Sequence, residues 1–166
     1  MKECLIAVVD EQDTLIGYEP RSIVDKKNLR YRVSALWVTN SKGEILLARR
    51  AYNKSHDPGR FGPAAAGTVE KGETYKTNII KEAEEELGIK NVRFKKGLKE
   101  KINGKYNYFG QWYTCIIDKP ASAFKLQKEE VAEVRWFTKK ELAKQLKAHP
   151  EEFLTDMKNI IKIIKN

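Results

Sequence analysis

Residues 67–89 read GTVEKGETYKTNIIKEAEEELGI. The pattern predicts a helix from about Glu73 to Leu87, with Gly88 as the expected stop. At roughly 100° per residue, Ile79, Ile80, Ala83 and Leu87 share an arc that should face a core. Glu82, Glu85 and Glu86 fall on an adjoining arc about 100° wide. Ionised together, such i, i+3 and i, i+4 neighbours destabilise a helix. Two origins explain the crowding. One is a solvated acidic face, the commoner source of Glu-rich helices. The other is a hard divalent cation, Mg²⁺ or Mn²⁺, which prefers carboxylate oxygens and commonly bridges to phosphates.

Around this stretch, 166 residues at 41% hydrophobic and 33% charged fit one soluble globular domain over 1–166. Within it, 1–30 reads as an N-terminal hairpin extension and 138–166 as C-terminal helices. No apolar run approaches bilayer length, so no membrane partner is expected. The start, MKECLIAVVDEQD, turns acidic and lacks a small-residue cleavage site. The cytoplasm is the expected address. Cys4 and Cys115 form neither a disulfide framework nor a metal-ligand spacing, and each is expected to be a buried thiol. A net charge of +9 and a pI near 9.4 fit either an anionic partner or lysines decorating solvated faces.

Flanking patterns complete the outline. LIAVVDEQDTLIGYE reads as a hairpin, and PRSIVDKKN as a short helix. RVSALWVTNSKGEILLARR is a second hairpin about Asn40-Ser41-Lys42-Gly43, followed by the Pro/Gly-rich loop YNKSHDPGRFGPAAAG. Strands are expected in VRFKKGLKEKI, YFGQWYTCIID and VAEVRWFT. Thr138 and Glu141 form a capping-box pattern opening KKELAKQLKAH, and Pro150 suits the first turn of a last helix, EEFLTDMKNIIKIIK. The expected class is α/β (α+β), a mixed sheet sandwiched between helices. Trp37 and Trp136 are expected in the core, and His56 on a solvent-exposed loop. Phe61, Tyr108 and Phe109 read as core or strand-edge aromatics, with stacking on a base as the other possibility.

The stretch 67–89 resembles the signature of the Nudix hydrolases: Gly, five residues, Glu, seven residues, Arg-Glu, an apolar residue, any residue, Glu-Glu, any residue, Gly, an apolar residue. Gly67 and Glu73 fill the first places, and Glu82-Ala83-Glu84-Glu85-Glu86-Leu87-Gly88-Ile89 the last. The departure is Lys81 where the pattern has Arg. By resemblance, residue 81 pairs with Glu73 and braces the loop–helix junction; lysine keeps the charge but loses the two-pronged fork. The resemblance implies Glu82, Glu85 and Glu86 as metal ligands, joined by the backbone carbonyl near Gly67. It implies Mg²⁺, with Mn²⁺ as the substitute, and hydrolysis of a small-molecule diphosphate. The base would be Glu85 or a downstream glutamate, Glu130 ahead of Glu129 and Glu133.

Outside the box, VVDEQDTLIGYEPRSIV, LRYRVSALWVTNSKGEILLARRAYNK and DPGRFGPAAAG are similar to the isopentenyl-diphosphate-isomerase-like branch. Its diphosphate-gripping places match Arg50 and Lys54, with Arg32 and Arg49 as weaker candidates. Isomerisation itself is not expected. The cysteine place reads Ala66, the downstream acid region reads Phe109 and Gln111, and two metal-histidine places read Tyr31 and Thr68. Without a proton donor–acceptor pair that reaction has no catalyst. The alternatives to a Nudix pyrophosphohydrolase on a nucleoside diphosphate derivative or similar compound are a catalytically silent ligand-binding module and an RNA-end-directed hydrolase or binder. Nucleic acid is disfavoured, because no Lys/Arg stripe with interleaved aromatics is visible. The oligomeric state is open, with a homodimer as one possibility because dimers are common among homo-oligomers.

Overall fold

The sheet is built around β3 (Tyr31–Thr39), an apolar run whose alternate side chains feed two different cores. The computed structural model describes residues 3–159. Both predicted hairpins form. β1 (Leu5–Val9) and β2 (Leu15–Pro20) pair antiparallel, and β1 meets β3 at Val8↔Tyr31. The short helix α1 (Arg21–Lys27) follows and ends at Asn28, whose φ of 50° suits an asparagine.

The second hairpin behaves differently. β3 and β4 (Ile45–Arg50) pair only at Val38↔Leu46 and Thr39↔Ile45, then part. β3 takes β6 (Ala65–Thr68) as its new antiparallel neighbour, with Ser34 opposite Gly67. β4 instead takes β5 (Phe61–Gly62) and, later in the chain, β9 (Val131–Phe137). β5 and β6 lie in the stretch that the sequence reads as one Pro/Gly-rich loop. Two and four residues are too short to show strand periodicity, so only the pairing reveals them. On its other side β3 runs parallel to β8 (Tyr108–Ile116), which carries β7 (Lys95–Ile102) at the edge.

Helices cover both faces. Leu36 and Val38 of β3 and Leu46 of β4 pack with Ile79, Ala83 and Leu87 of α2 (Tyr75–Leu87). Trp37, Ile45 and Leu47 face the other way, toward Leu142 and Leu146 of α3 (Lys139–Ala148). This is the period-two alternation of a strand buried on both sides. Thr138 and Glu141 close the expected capping box on α3. Trp37 is buried, and Trp136 is half-buried against the α2 core.

Four expectations are corrected. The glutamate-rich helix starts at Tyr75, capped by Thr74 and Thr77, so Glu73 stands before it. Ile80 is 46% exposed; the buried residues of α2 are Asn78, Ile79, Ala83, Glu86 and Leu87, so the buried arc turns toward the carboxylates. Cys4 precedes β1 and is exposed, whereas Cys115 is buried as expected and its thiol is pushed up to about 12 by desolvation. Pro150 opens a single 3₁₀ turn to Glu152, and Phe153 then bridges to Phe61, so no helix begins there. Of that expected last helix, residues 157–159 are helical, and residues 160–166 lie outside the described residues. Among the described residues, no helix is long and apolar enough to cross a membrane.

Candidate active site

Where β3 and β4 part, a cavity of about 530 Å³ opens between the two halves of the sheet. One wall comes from β6 and α2, contiguous in sequence. Gly67, Lys81, Glu82, Glu85 and Glu86 all line it. Gly67 is required there by space: a Cβ on it would stand 2.6 Å from Glu82 Oε1, inside any real contact distance. Gly88 ends α2 in the left-handed region (φ 68°), and the Ile89 amide donates to the Ala83 carbonyl at 3.1 Å.

The junction ahead of the helix is tied by two polar groups. Asn78, fully buried, accepts from the Ser34 hydroxyl and donates to the Thr68 carbonyl (3.0 Å) and to Glu73 Oε2 (2.9 Å). The Glu70 amide also donates to Glu73 Oε2 at 2.9 Å. Lys81 Nζ takes the other oxygen, Glu73 Oε1, at 2.5 Å, and stands 3.5 Å from Glu82 Oε1 and 3.7 Å from Glu70 Oε2. Burial works against ionisation of Glu73, but Lys81, the Glu70 amide and Asn78 outweigh it and hold its carboxyl below the usual range. Burial likewise opposes the Lys81 charge, and the hydrogen bond to Glu73 with the nearby carboxylates outweighs it, holding the ammonium above its usual value. Asn78 carried no signal in the sequence, since a polar residue between Thr77 and Ile79 reads as helix surface.

The acidic groups on this wall are held in the opposite sense. Burial raises the Glu82 carboxyl, with Lys81 opposing and Glu85 adding to the rise. Burial, then the charges of Glu82 and Glu130, hold Glu86 well above the usual carboxylate range, against a hydrogen bond with the Ala66 backbone. Glu85 is exposed at the rim.

The opposite wall is assembled from distant segments. Lys54 Nζ and Glu130 Oε2 meet at 2.5 Å, so the expected phosphate grip and the expected base hold one another. Arg50 Nε donates to the His56 carbonyl at 2.9 Å. His56 is not a freely exposed loop histidine: its ring stacks on Tyr106 at 4.3 Å, and Nε2 lies 3.2 Å from Asp25 Oδ2. Arg21 was unforeseen, because nothing about PRSIVDKKN sets its first cation apart. Its Nη2 donates to Thr68 Oγ1 at 2.5 Å, next to Gly67. Nη1 is buried 3.6 Å from Asp25, without a hydrogen-bond partner among the described residues. Arg21, Arg50, Lys54, His56, Tyr106 and Glu130 all line the cavity.

Other candidates fall away from it or into support. Arg32 pairs with Asp13 at 2.7 Å and does not line the cavity. Arg49 lines it but is held by Glu133 at 2.9 Å and by the Gly59 carbonyl. Glu129 is exposed and, like Glu133, is absent from the lining. Tyr31, Ala66 and Thr68 do line the cavity. Phe109 is buried, and Gln111 donates to the Gly97 and Leu98 carbonyls, so neither supplies an acid. Phe61 is buried against Phe137 and Phe153, and the Tyr108 hydroxyl bonds Asp156.

The donor set suits a hard divalent cation. The buried Glu86 and half-buried Glu82 carboxyls, each held above its usual value by desolvation and by neighbouring negative charge, are relieved by a cation set among them. The glycine at 67 leaves room for one of them against the backbone. Among the described residues, no three Asp, Glu, His or Cys side chains yet converge at ligand spacing. Glu82 Oε1 lies 3.5 Å from Lys81 Nζ.

Comparison with known proteins places this arrangement. The NUDIX domain model matches residues 28–157. The chain is 36% identical over 141 residues to PA4841 of Pseudomonas aeruginosa, named an uncharacterized Nudix hydrolase, covering 84% of this chain and 80% of the relative. It is 32% identical over 158 residues to an uncharacterized Nudix hydrolase of Yersinia pestis, covering 91% and 80%. In fold it is similar to the crystal structure of DR0079 from Deinococcus radiodurans, with a TM-score of 0.82 at 22% identity over 98% of this chain and 99% of that one.

Proposed function

The chain belongs to the Nudix hydrolase family, and on that premise we propose that it cleaves a small-molecule diphosphate using Mg²⁺, or Mn²⁺, held by Glu82, Glu85, Glu86 and the Gly67 carbonyl. The observation that carries this reading is the burial of Glu86, nine-tenths out of solvent, beside Glu82 and Glu130 and without a basic partner of its own among the described residues. Such an ion, when bound, supplies charge neutralisation for the phosphates and Lewis acidity. The remaining work belongs to the side chains. Arg50 and Arg21 line the cavity with the carboxylates, and their guanidinium groups orient phosphate oxygens. Lys54 is shared between Glu130 and an arriving phosphate. As the phosphate draws it away, Glu130 is released to accept a proton from the attacking water, with Glu85 as the other candidate base. Glu73, Lys81 and Asn78 fix the approach of β6 to α2, which sets where Gly67 stands relative to Glu82.

Kinship with the isopentenyl-diphosphate-isomerase-like branch remains our reading of the flanking motifs. Hydrolysis, not isomerisation, follows from the residues at the cysteine and acid places. A silent ligand-binding module is the second reading, favoured by Lys81 lying 3.5 Å from Glu82.

A screen of nucleoside diphosphates, nucleotide sugars, dinucleotides and triphosphates with Mg²⁺ or Mn²⁺ tests both. One class turned over by the wild type, and cut at least about 100-fold by Glu85→Gln, is the expected result. No turnover, together with a ligand that raises thermal stability, transfers the case to the silent module.

A further inference from the structure

Resting on the reading that Glu82, Glu85 and Glu86 hold a divalent cation, we propose that Lys81 is a built-in competitor for that ion, which keeps ion binding weak until a diphosphate supplies further ligands. Its ammonium sits among Glu73, Glu82 and Glu70 at 2.5, 3.5 and 3.7 Å. These are the surroundings a metal ion would itself seek.

Two features separate competition from simple bracing. Glu73 also receives the Glu70 amide and Asn78 on Oε2, so its position does not depend on the lysine alone. Lys81 also approaches Glu82 through Oε1, the oxygen that lies against Gly67, so the ammonium and an ion held there call on the same atom. The chemistry of the side chain matters too. An ammonium is a compact point charge whose donors rotate, so it settles where several carboxylates overlap. A guanidinium would commit its donors to a plane. The lysine at the place where the signature has arginine thus sets a compact positive charge beside Glu82, one of the ion's own ligands. A diphosphate would shift the balance by adding oxygens that Lys81 does not reach.

Calorimetric titration of the full chain with Mn²⁺, without substrate, tests this directly. Lys81→Gln removes the charge while keeping a donor for Glu73, and Lys81→Met removes both. Lys81 is one-third exposed, and a thermal melt checks that each variant is folded. Both variants are expected to bind Mn²⁺ about fivefold more tightly than the wild type, the scale of one part-exposed ion pair. Adding a diphosphate should narrow the gap. Equal or weaker binding by either folded variant overturns the proposal and leaves Lys81 a brace. If neither the wild type nor the variants take up Mn²⁺, with or without a diphosphate, the cation reading fails and the proposal falls with it.

Discussion

The two walls of the cavity are built on opposite plans. The helix wall runs from Gly67 to Glu86 in one continuous segment, backed by Ile79, Ala83 and Leu87 at zero exposure. Its polar groups are tied at short range through Asn78, Glu73 and Lys81. The facing wall gathers Arg21, Arg50, Lys54, His56, Tyr106 and Glu130 from separate stretches, joined by single hydrogen bonds, a ring stack, the Lys54–Glu130 pair and the contacts of Arg21 and His56 with Asp25. The first wall is therefore stiff, and its chemistry depends on spacing. The second is adjustable, and its chemistry depends on what topology brings together. Rigid acidic groups facing movable basic ones suit a site that fixes a cation and then adapts to an incoming anion.

Substitutions can break that contrast, the largest effect expected behind the helix wall. Leu87→Ala removes a fully buried side chain from the α2 core and should cost about 2–5 kcal/mol in denaturant unfolding. A loss below about 1 kcal/mol would mean that the wall is not held by its packing.

On the facing wall, Arg50→Ala should lower kcat/KM about tenfold, mainly through KM, with little change in melting temperature. Its Nε bond to the His56 carbonyl is part-buried and local. A large drop in melting temperature would show this wall to be as structural as the other.

The smallest effect concerns the bracing at the start of α2. Asp13 accepts from the Tyr75 hydroxyl at 2.9 Å and pairs with Arg32 and Lys99. Burial raises its pKa, but these partners outweigh it and the carboxyl is held below its ordinary 3.8. Its contribution is therefore fully present above pH 3.8 and is lost as pH falls through the lowered folded value. Asp13→Asn, which tolerates the φ of 63° there, should cost about 1 kcal/mol at pH 7, and the difference from wild type should shrink as pH falls below 3.8. A pH-independent difference would assign the role of Asp13 to turn geometry instead.

How much of this was legible in the sequence follows the same division. Glycine stops, capping patterns and apolar periodicity located α2, α3 and the long strands, because these signals act within a few residues. Ile80 misled for a related reason: the helical wheel gives an arc but not its boundary, and packing against β3 and β4 turned the buried arc toward Glu86. β5 and β6 were hidden, since their strand character exists only through their partners on β4 and β3. His56 looked like a loose loop residue because Asp25 and Tyr106 lie far from it in the chain.

The sequence by itself determined the family, the helix that carries Glu82, Glu85 and Glu86, and the glycine that must face them, since each depends on short fixed spacings. Only the tertiary structure decided which cations meet those carboxylates. It placed Arg21 beside Thr68, joined Lys54 to Glu130, and set Lys81, already expected at Glu73, near Glu70 and Glu82 as well. The physical reason is that charge interactions act through space within a few ångströms. The splitting of the β3–β4 hairpin, which no local pattern encodes, is what brings these distant groups within that range.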